Sequence, residues 1–227
     1  MKIQKPVLSI VRGSFAAAGA FNLLFFLFVL PFIILLSFCT PRVNMLMMYR
    51  ALFYGEKSIP IKPAPLESLP GYLPGMFVLL EDHNFYRHPG IDPAAIAEAM
   101  ERNKSRGQMT YGASTITQQL SRTIFLTPRK NYLRKYLEIF IALETDLILS
   151  KDRIMELYLN EIEWGKGVFG IRQASLYHYG KKPDALTKEE YMRLVSIITN
   201  PRDFNVKTLF RQSGMAARYA ALNARFN

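Results

Sequence analysis

Between Arg12 and Arg42 the chain carries no charged side chain, and from Phe15 to Leu36 it is almost wholly apolar. A run of that kind limits the backbone to one solution in hydrocarbon, a helix, because every amide must find its partner within the segment. About 20 residues suffice to cross a bilayer core, so the run is long enough. A secretory signal has a shorter apolar stretch followed by small residues at a cleavage site. Here the small cluster Ala16–Ala20 stands at the opposite end, and Phe38 occupies the place where a lipoprotein signal needs a small residue before Cys39. A buried core helix is the alternative reading. Lys2, Lys5 and Arg12 precede the run without an acidic residue among them. Cations stay on the cytoplasmic side, which puts everything after Pro41 outside. The expected division is a tail over 1–14, a span over 15–38, a membrane-proximal connector over 39–74 and a folded domain over 75–227.

In the connector, Asn44–Tyr54 (NMLMMYRALFY) is apolar and rich in methionine and aromatic residues. It reads equally as a helix in the membrane interface or as one packed on the domain. Pro60, Pro63, Pro65, Pro70 and Pro74 then mark extended chain. From Gly75 onward the patterning is helical. Asp92-Pro93 is a cap followed by a first-turn proline, opening a helix to about Asn103. Residues 104–113 read as a mobile loop, and Thr115 with Gln118 forms a capping box ahead of the stripe Ile116, Leu120, Ile124. Asn131–Leu149 is apolar nearly all round, the pattern of a buried central helix. Ser150 caps a further helix to about Asn160, Gly165 and Gly167 break the chain, Gly180 stops another helix, and Thr187 with Glu190 repeats the capping box. A mostly helical single domain is the expectation.

The net charge of +11 favours anionic partners: anionic lipid, a phosphorylated substrate, or nucleic acid. No zinc-finger spacing and no ribonucleoprotein motif supports the last, so no nucleic-acid partner is expected. The single cysteine excludes an intrachain disulfide. His83 and His178 lack a partner at metal spacing, and Trp164 reads as core.

Two acidic positions carry the chemistry. Glu81-Asp82 follows the apolar Met76–Leu80, where a buried element reaches a polar loop; a helix cap is the plain alternative. Glu138 lies inside an apolar helix segment, which is costly for a carboxylate unless it is paired. Arg134 and Lys135, four and three residues earlier, share its face, so a structural salt bridge is the competing reading. Ser114, Thr117, Gln118, Ser121 and Arg122, with Gln119 alongside, form a polar helix start that suits an anionic phosphate or is merely solvated.

Together these segments resemble the five motifs of family 51 glycosyltransferases. EDHNFYRHPGID (81–92) is similar to the first, GASTITQQ (112–119) to the second, RKYLE (134–138) to the third and KDRIMELYLN (151–160) to the fourth, while Gly170–Leu186 with Glu190 matches the fifth. The resemblance covers roughly Pro65–Asn205 and, with one anchor and no transpeptidase domain in view, points to the monofunctional biosynthetic branch. It implies a mainly α, lysozyme-like glycosyltransferase domain behind the transmembrane helix. The reaction it implies joins a growing glycan on undecaprenyl pyrophosphate to the 4-hydroxyl of lipid II, with inversion to a β-1,4 bond. In that likeness Glu81 is the general base and Glu138 orients cations or a metal around the pyrophosphate. Ser114, Gln118 and Gln119 would contact donor phosphate and sugar, with Arg122, Lys130 and Arg134 as cations of the substrate site. His88, inside the first motif, reads as packing or hydrogen bonding around Glu81. No cofactor is required on this reading; Mg2+ or Mn2+ beside Glu138 is an optional addition. The implied partners are the membrane, the two lipid-linked substrates and cell-wall synthases, and the implied location is the bacterial inner membrane with the domain periplasmic. Family members usually carry lysine at Arg122, arginine at Lys130, lysine at Leu137 and asparagine at Thr123. These departures motivate an alternative, a non-catalytic scaffold that binds lipid II; a glycan-cleaving enzyme is a third reading, disfavoured by the basic surroundings.

Overall fold

The computed structural model describes the backbone of residues 5–108 and 112–227, with side chains from Ala16 onward in those stretches. Lys2, the side chains of Lys5 and Arg12, and positions 109–111 of the expected loop lie outside the described residues.

The first helix, α1 (Lys5–Leu36), is longer than the expected span and contains Pro31. Its portion Ala16–Leu36 has 21 residues and a mean hydropathy of 2.6, enough to cross a bilayer. Near its end Val29, Ile33 and Leu36 are buried against the domain, while Leu24, Phe28 and Phe32 remain exposed. Arg153 fastens this junction: its Nε donates to Leu36 O at 2.8 Å and its Nη2 to Thr40 Oγ1 at 3.2 Å.

Asn44 caps α2 (Met45–Tyr54) by accepting from Met47 N, and Gly55 closes the helix with φ 63°. The packing reading is borne out for one face of this helix. Met47 and Tyr49 are buried, whereas Met48, Leu52 and Phe53 face outward as an apolar strip. The proline-rich chain that follows is sewn to α7 (Lys151–Glu161). Asn160 brackets the peptide of Ala64 from both sides, at 2.8 and 2.9 Å, and Glu156 accepts from Leu66 N at 2.8 Å.

The buried central helix is α7, on which Ile154, Met155, Leu157, Tyr158 and Leu159 are all buried. Helix α5 (Ile116–Phe125) packs on it, and α3 (Leu73–Glu81) and α9 (Lys188–Ile197) add side chains to the same core. Phe77 meets Tyr158 and Trp164 edge-on, with ring centroids 5.5 and 5.7 Å apart. The expectation of a buried helix over Asn131–Leu149 is corrected. The helix there, α6 (Tyr132–Ile148), buries Ile141 and Ala142 but leaves Tyr132, Leu133 and Leu147 exposed. It runs beside α1, and Tyr136 OH donates to Asn22 Oδ1 at 2.7 Å. An all-round apolar pattern reports apolar surroundings without distinguishing a protein interior from lipid.

The remaining elements are α4 (Pro93–Arg106), a hairpin of β1 (Glu163–Gly165) and β2 (Val168–Phe169), α8 (Ile171–Tyr179) and α10 (Ser213–Phe226). Helix α4 runs three residues further than expected and is closed by Gly107 in the left-handed region. Helix α10 has only a weak apolar face, Met215 and Leu222, and sequence patterning did not single it out; it packs on α9 and α3.

Candidate active site

Glu81 is the last residue of α3, where the helix leaves the core. Its carboxylate is held on two sides. Oε2 accepts from Gln119 Nε2 at 3.1 Å, and Oε1 accepts from Arg218 Nη2, on α10, at 2.5 Å. Gln119 is itself oriented, because Tyr158 OH donates to its Oε1 at 3.0 Å. Burial, and then the Glu81 carboxylate, hold the Tyr158 phenol well above its ordinary pKa, so it remains a donor. The carboxylate opens on a cleft of about 530 Å³ whose walls include His83, Asp92, Glu98, Arg102 and Ser114.

The next residue turns the other way. Asp82 is buried and accepts from His88 Nε2 at 2.9 Å and from Ile116 N, in the first turn of α5, at 2.9 Å. One carboxylate thus fastens the 81–92 segment to α5 and leaves its neighbour for the cleft. His88, expected to pack or hydrogen-bond around Glu81, bonds to the neighbouring Asp82 and meets the Phe85 ring edge-on. Asp92 caps α4, accepting from Ala95 N at 3.0 Å and from Asn84 Nδ2 at 2.8 Å, and the backbone bond together with the Asn84 amide lowers its pKa.

Glu138 is fully buried and takes its cations from two helices. Arg134 Nη1 binds Oε2, Lys135 Nζ binds Oε1 at 2.6 Å, and Arg122 Nη1 of α5 approaches Oε2 at 3.8 Å. Three cations on one carboxylate leave positive charge in excess. The side chains of Arg122 and Lys135 are 38% and 39% exposed, so that excess faces solvent. A surface of this kind attracts an anion. Lys135 Nζ also donates to Ser114 Oγ at 3.1 Å, and Gln119 Nε2 lies 3.4 Å from Ser114 O. The two glutamates are therefore joined by one polar chain: Glu81, Gln119, Ser114, Lys135, Glu138.

Of the residues expected at the site, Glu81, Ser114, Gln119, Arg122, Arg134 and Glu138 come together. Gln118 does not join them on the surface. It is buried, completes the Thr115 capping box through Oε1, and its Nε2 has no hydrogen-bond partner among the described residues. Thr117 and Ser121 are likewise buried, so the helix start expected to be polar and open is largely turned inward. Lys130 is exposed and forms no ion pair among the described residues, while Arg129 beside it turns to Tyr49 OH at 3.3 Å and to the Phe53 ring. Two residues escaped sequence reasoning. Tyr158 lies within the segment similar to the fourth motif but was given no role there, and Arg218 sits in an alanine-rich helix outside every motif, where no local signal marks it. A divalent ion beside Glu138 does not fit the residues present, since both its oxygens are engaged by cations and, among the described residues, no second carboxylate contacts that cluster. No step below runs through a metal.

The helical domain stands behind an apolar helix long enough to cross a bilayer, and it presents one carboxylate on a cleft and a second beneath a cationic surface that suits an anion. The chain belongs to the transglycosylase family, whose model matches residues 53–225. It is 36% identical over 224 residues to a Burkholderia ambifaria (strain MC40-6) protein named biosynthetic peptidoglycan transglycosylase, a match covering 97% of this chain and 90% of that one. Proteins of the same name from Dechloromonas aromatica (strain RCB) and Cupriavidus metallidurans (strain ATCC 43123 / DSM 2839 / NBRC 102507 / CH34) are 41% and 42% identical, over 62% and 56% of this chain and 61% and 54% of their own. The mainly α, lysozyme-like domain is the fold of this family.

Proposed function

We propose that this chain is a monofunctional peptidoglycan glycosyltransferase, polymerising lipid-linked disaccharides into glycan strands at the bacterial inner membrane. Family membership and the relatives' names support the reaction class. The single observation that carries the residue roles is the polar chain joining Glu81 to the cation-covered Glu138. Glu81, open to the cleft, takes the proton from the 4-hydroxyl of lipid II as that oxygen attacks the anomeric carbon of the growing glycan. The bond from that carbon to the undecaprenyl pyrophosphate breaks on the opposite face, and the leaving group keeps the electron pair. Inversion gives a β-1,4 linkage. Arg122, Lys135 and Arg134, fixed by Glu138, meet the charge that builds on the pyrophosphate, and such preorganised cations act most strongly where water is scarce. Ser114 and Gln119 lie between the two centres, within reach of donor and acceptor.

The position of α6 supports a lipid-linked substrate. Tyr136, two residues before Glu138, bonds to Asn22 on the membrane-crossing helix, so the cationic surface adjoins the bilayer. Only basic residues precede the span, which supports a cytoplasmic N-terminus and a periplasmic domain. The test is incubation of the purified full chain with labelled lipid II. A muramidase-sensitive polymer with release of undecaprenyl pyrophosphate is expected; no polymer in either detergent or bilayers would contradict the assignment.

A further inference from the structure

We infer that Arg218 is a positioning residue for the base, one arm of a two-sided clamp whose other arm is Tyr158 acting through Gln119. The inference rests on Glu81 being the base. A glutamate at the end of a helix has rotatable bonds to spare, and a base must hold its lone pair in one direction to receive a proton on time. Here each carboxylate oxygen is taken once. Arg218 Nη2 binds Oε1 at 2.5 Å, and Gln119 Nε2 binds Oε2 at 3.1 Å. An ionised carboxylate has about four lone-pair sites, so each oxygen keeps one free on the cleft side.

Both arms are themselves fixed. The Arg218 guanidinium is anchored to the end of α9, with Nε donating to Ser196 O at 3.0 Å and Nη2 sharing Val195 O at 3.4 Å. One planar fork therefore serves backbone and base together, a geometry that an ammonium cannot reproduce. On the other arm, an amide presents NH2 or oxygen by a half-turn of its side chain. The Tyr158 hydroxyl donates to Gln119 Oε1 and so directs the NH2 toward Glu81. Helix α10 thereby completes the active site from outside the motif-bearing segments.

The experiment compares parent, Arg218→Gln, Arg218→Lys, Tyr158→Phe and Glu81→Gln as full-length proteins in lipid II polymerisation, with thermal melts of each. Arg218→Gln should lose about 10²-fold in kcat, with KM for lipid II within about threefold of the parent, since the clamp directs the base and does not itself bind substrate. Added guanidinium should restore at least about tenfold of that loss, which a purely structural role for Arg218 would not allow. Arg218→Lys should recover only part of it. Should Arg218→Gln fail to fold, Tyr158→Phe keeps the test open, with a fall in kcat of about tenfold expected. Parental kcat in a folded Arg218→Gln or in Tyr158→Phe overturns the clamp, as does a loss that guanidinium leaves untouched. Those results with an inactive Glu81→Gln reject the clamp alone. An active Glu81→Gln rejects the assignment of the base instead.

Discussion

Glu161 ends α7 with its side chain fully buried, and Asn44 Nδ2 donates to its Oε2 at 3.0 Å, while Oε1 has no partner among the described residues. Burial, only partly opposed by the Asn44 bond, pushes its pKa from 4.5 up to about 8. A carboxyl raised in the folded state binds its proton more tightly there than in the unfolded chain. Its stabilising contribution is complete below about pH 4.5, falls as pH rises, and is gone above about pH 8. Glu161→Gln removes that dependence. Its melting temperature minus the parent's should be near zero at about pH 4.5 and should exceed it by several degrees above about pH 8. A difference independent of pH would show that Glu161 is ionised throughout. Glu144, pushed up to about 7 by burial, adds a background of the same sign, which the subtraction removes. Glu138 is equally buried but keeps company with cations. Two of them were legible in the sequence because helical spacing places residues three and four apart on one face. Arg122 and Arg218 reach their glutamates from other helices, and no spacing rule reports such a contact.

At the scale of elements, local chemistry was legible and placement was not. Asp92, Thr115, Ser150 and Thr187, all read as caps from the sequence, accept a hydrogen bond from the first turn of their helices. Capping depends on a handful of adjacent residues and therefore shows in sequence. The exposure of α6 depends on α1 lying beside it, and the docking of α10 on helices more than a hundred residues away in the case of α3; neither is encoded locally. Gly90 illustrates the join between the two levels. It adopts φ 86°, and a Cβ there would lie 2.4 Å from Ala142 O on α6. Its carbonyl accepts from Thr115 Oγ1 at 2.6 Å, tying the 81–92 segment to the start of α5. Gly90→Ala should cost about 1–3 kcal/mol of stability through backbone strain and more through the clash. It should also lower turnover by displacing that segment from α5. Denaturant melts together with polymerisation rates check both, and an unchanged midpoint would show that the turn relaxes freely.

At the scale of the whole molecule, anchor and domain form one continuous object. The end of α1 is buried in the domain core, Arg153 grips the junction, and the connector is fastened along α7 by Glu156 and Asn160. This arrangement holds α6, and with it the cationic surface over Glu138, beside the apolar helix α1. The account turns on Glu81 accepting the acceptor proton. The direct measurement is single-turnover polymerisation of lipid II by the parent and by Glu81→Gln, which keeps size and one of the two accepting oxygens but loses basicity. Turnover should fall by about 10²–10⁴-fold while donor binding and the melting temperature stay close to the parent's. A Glu81→Gln protein that polymerises lipid II at near the parental rate would contradict the account.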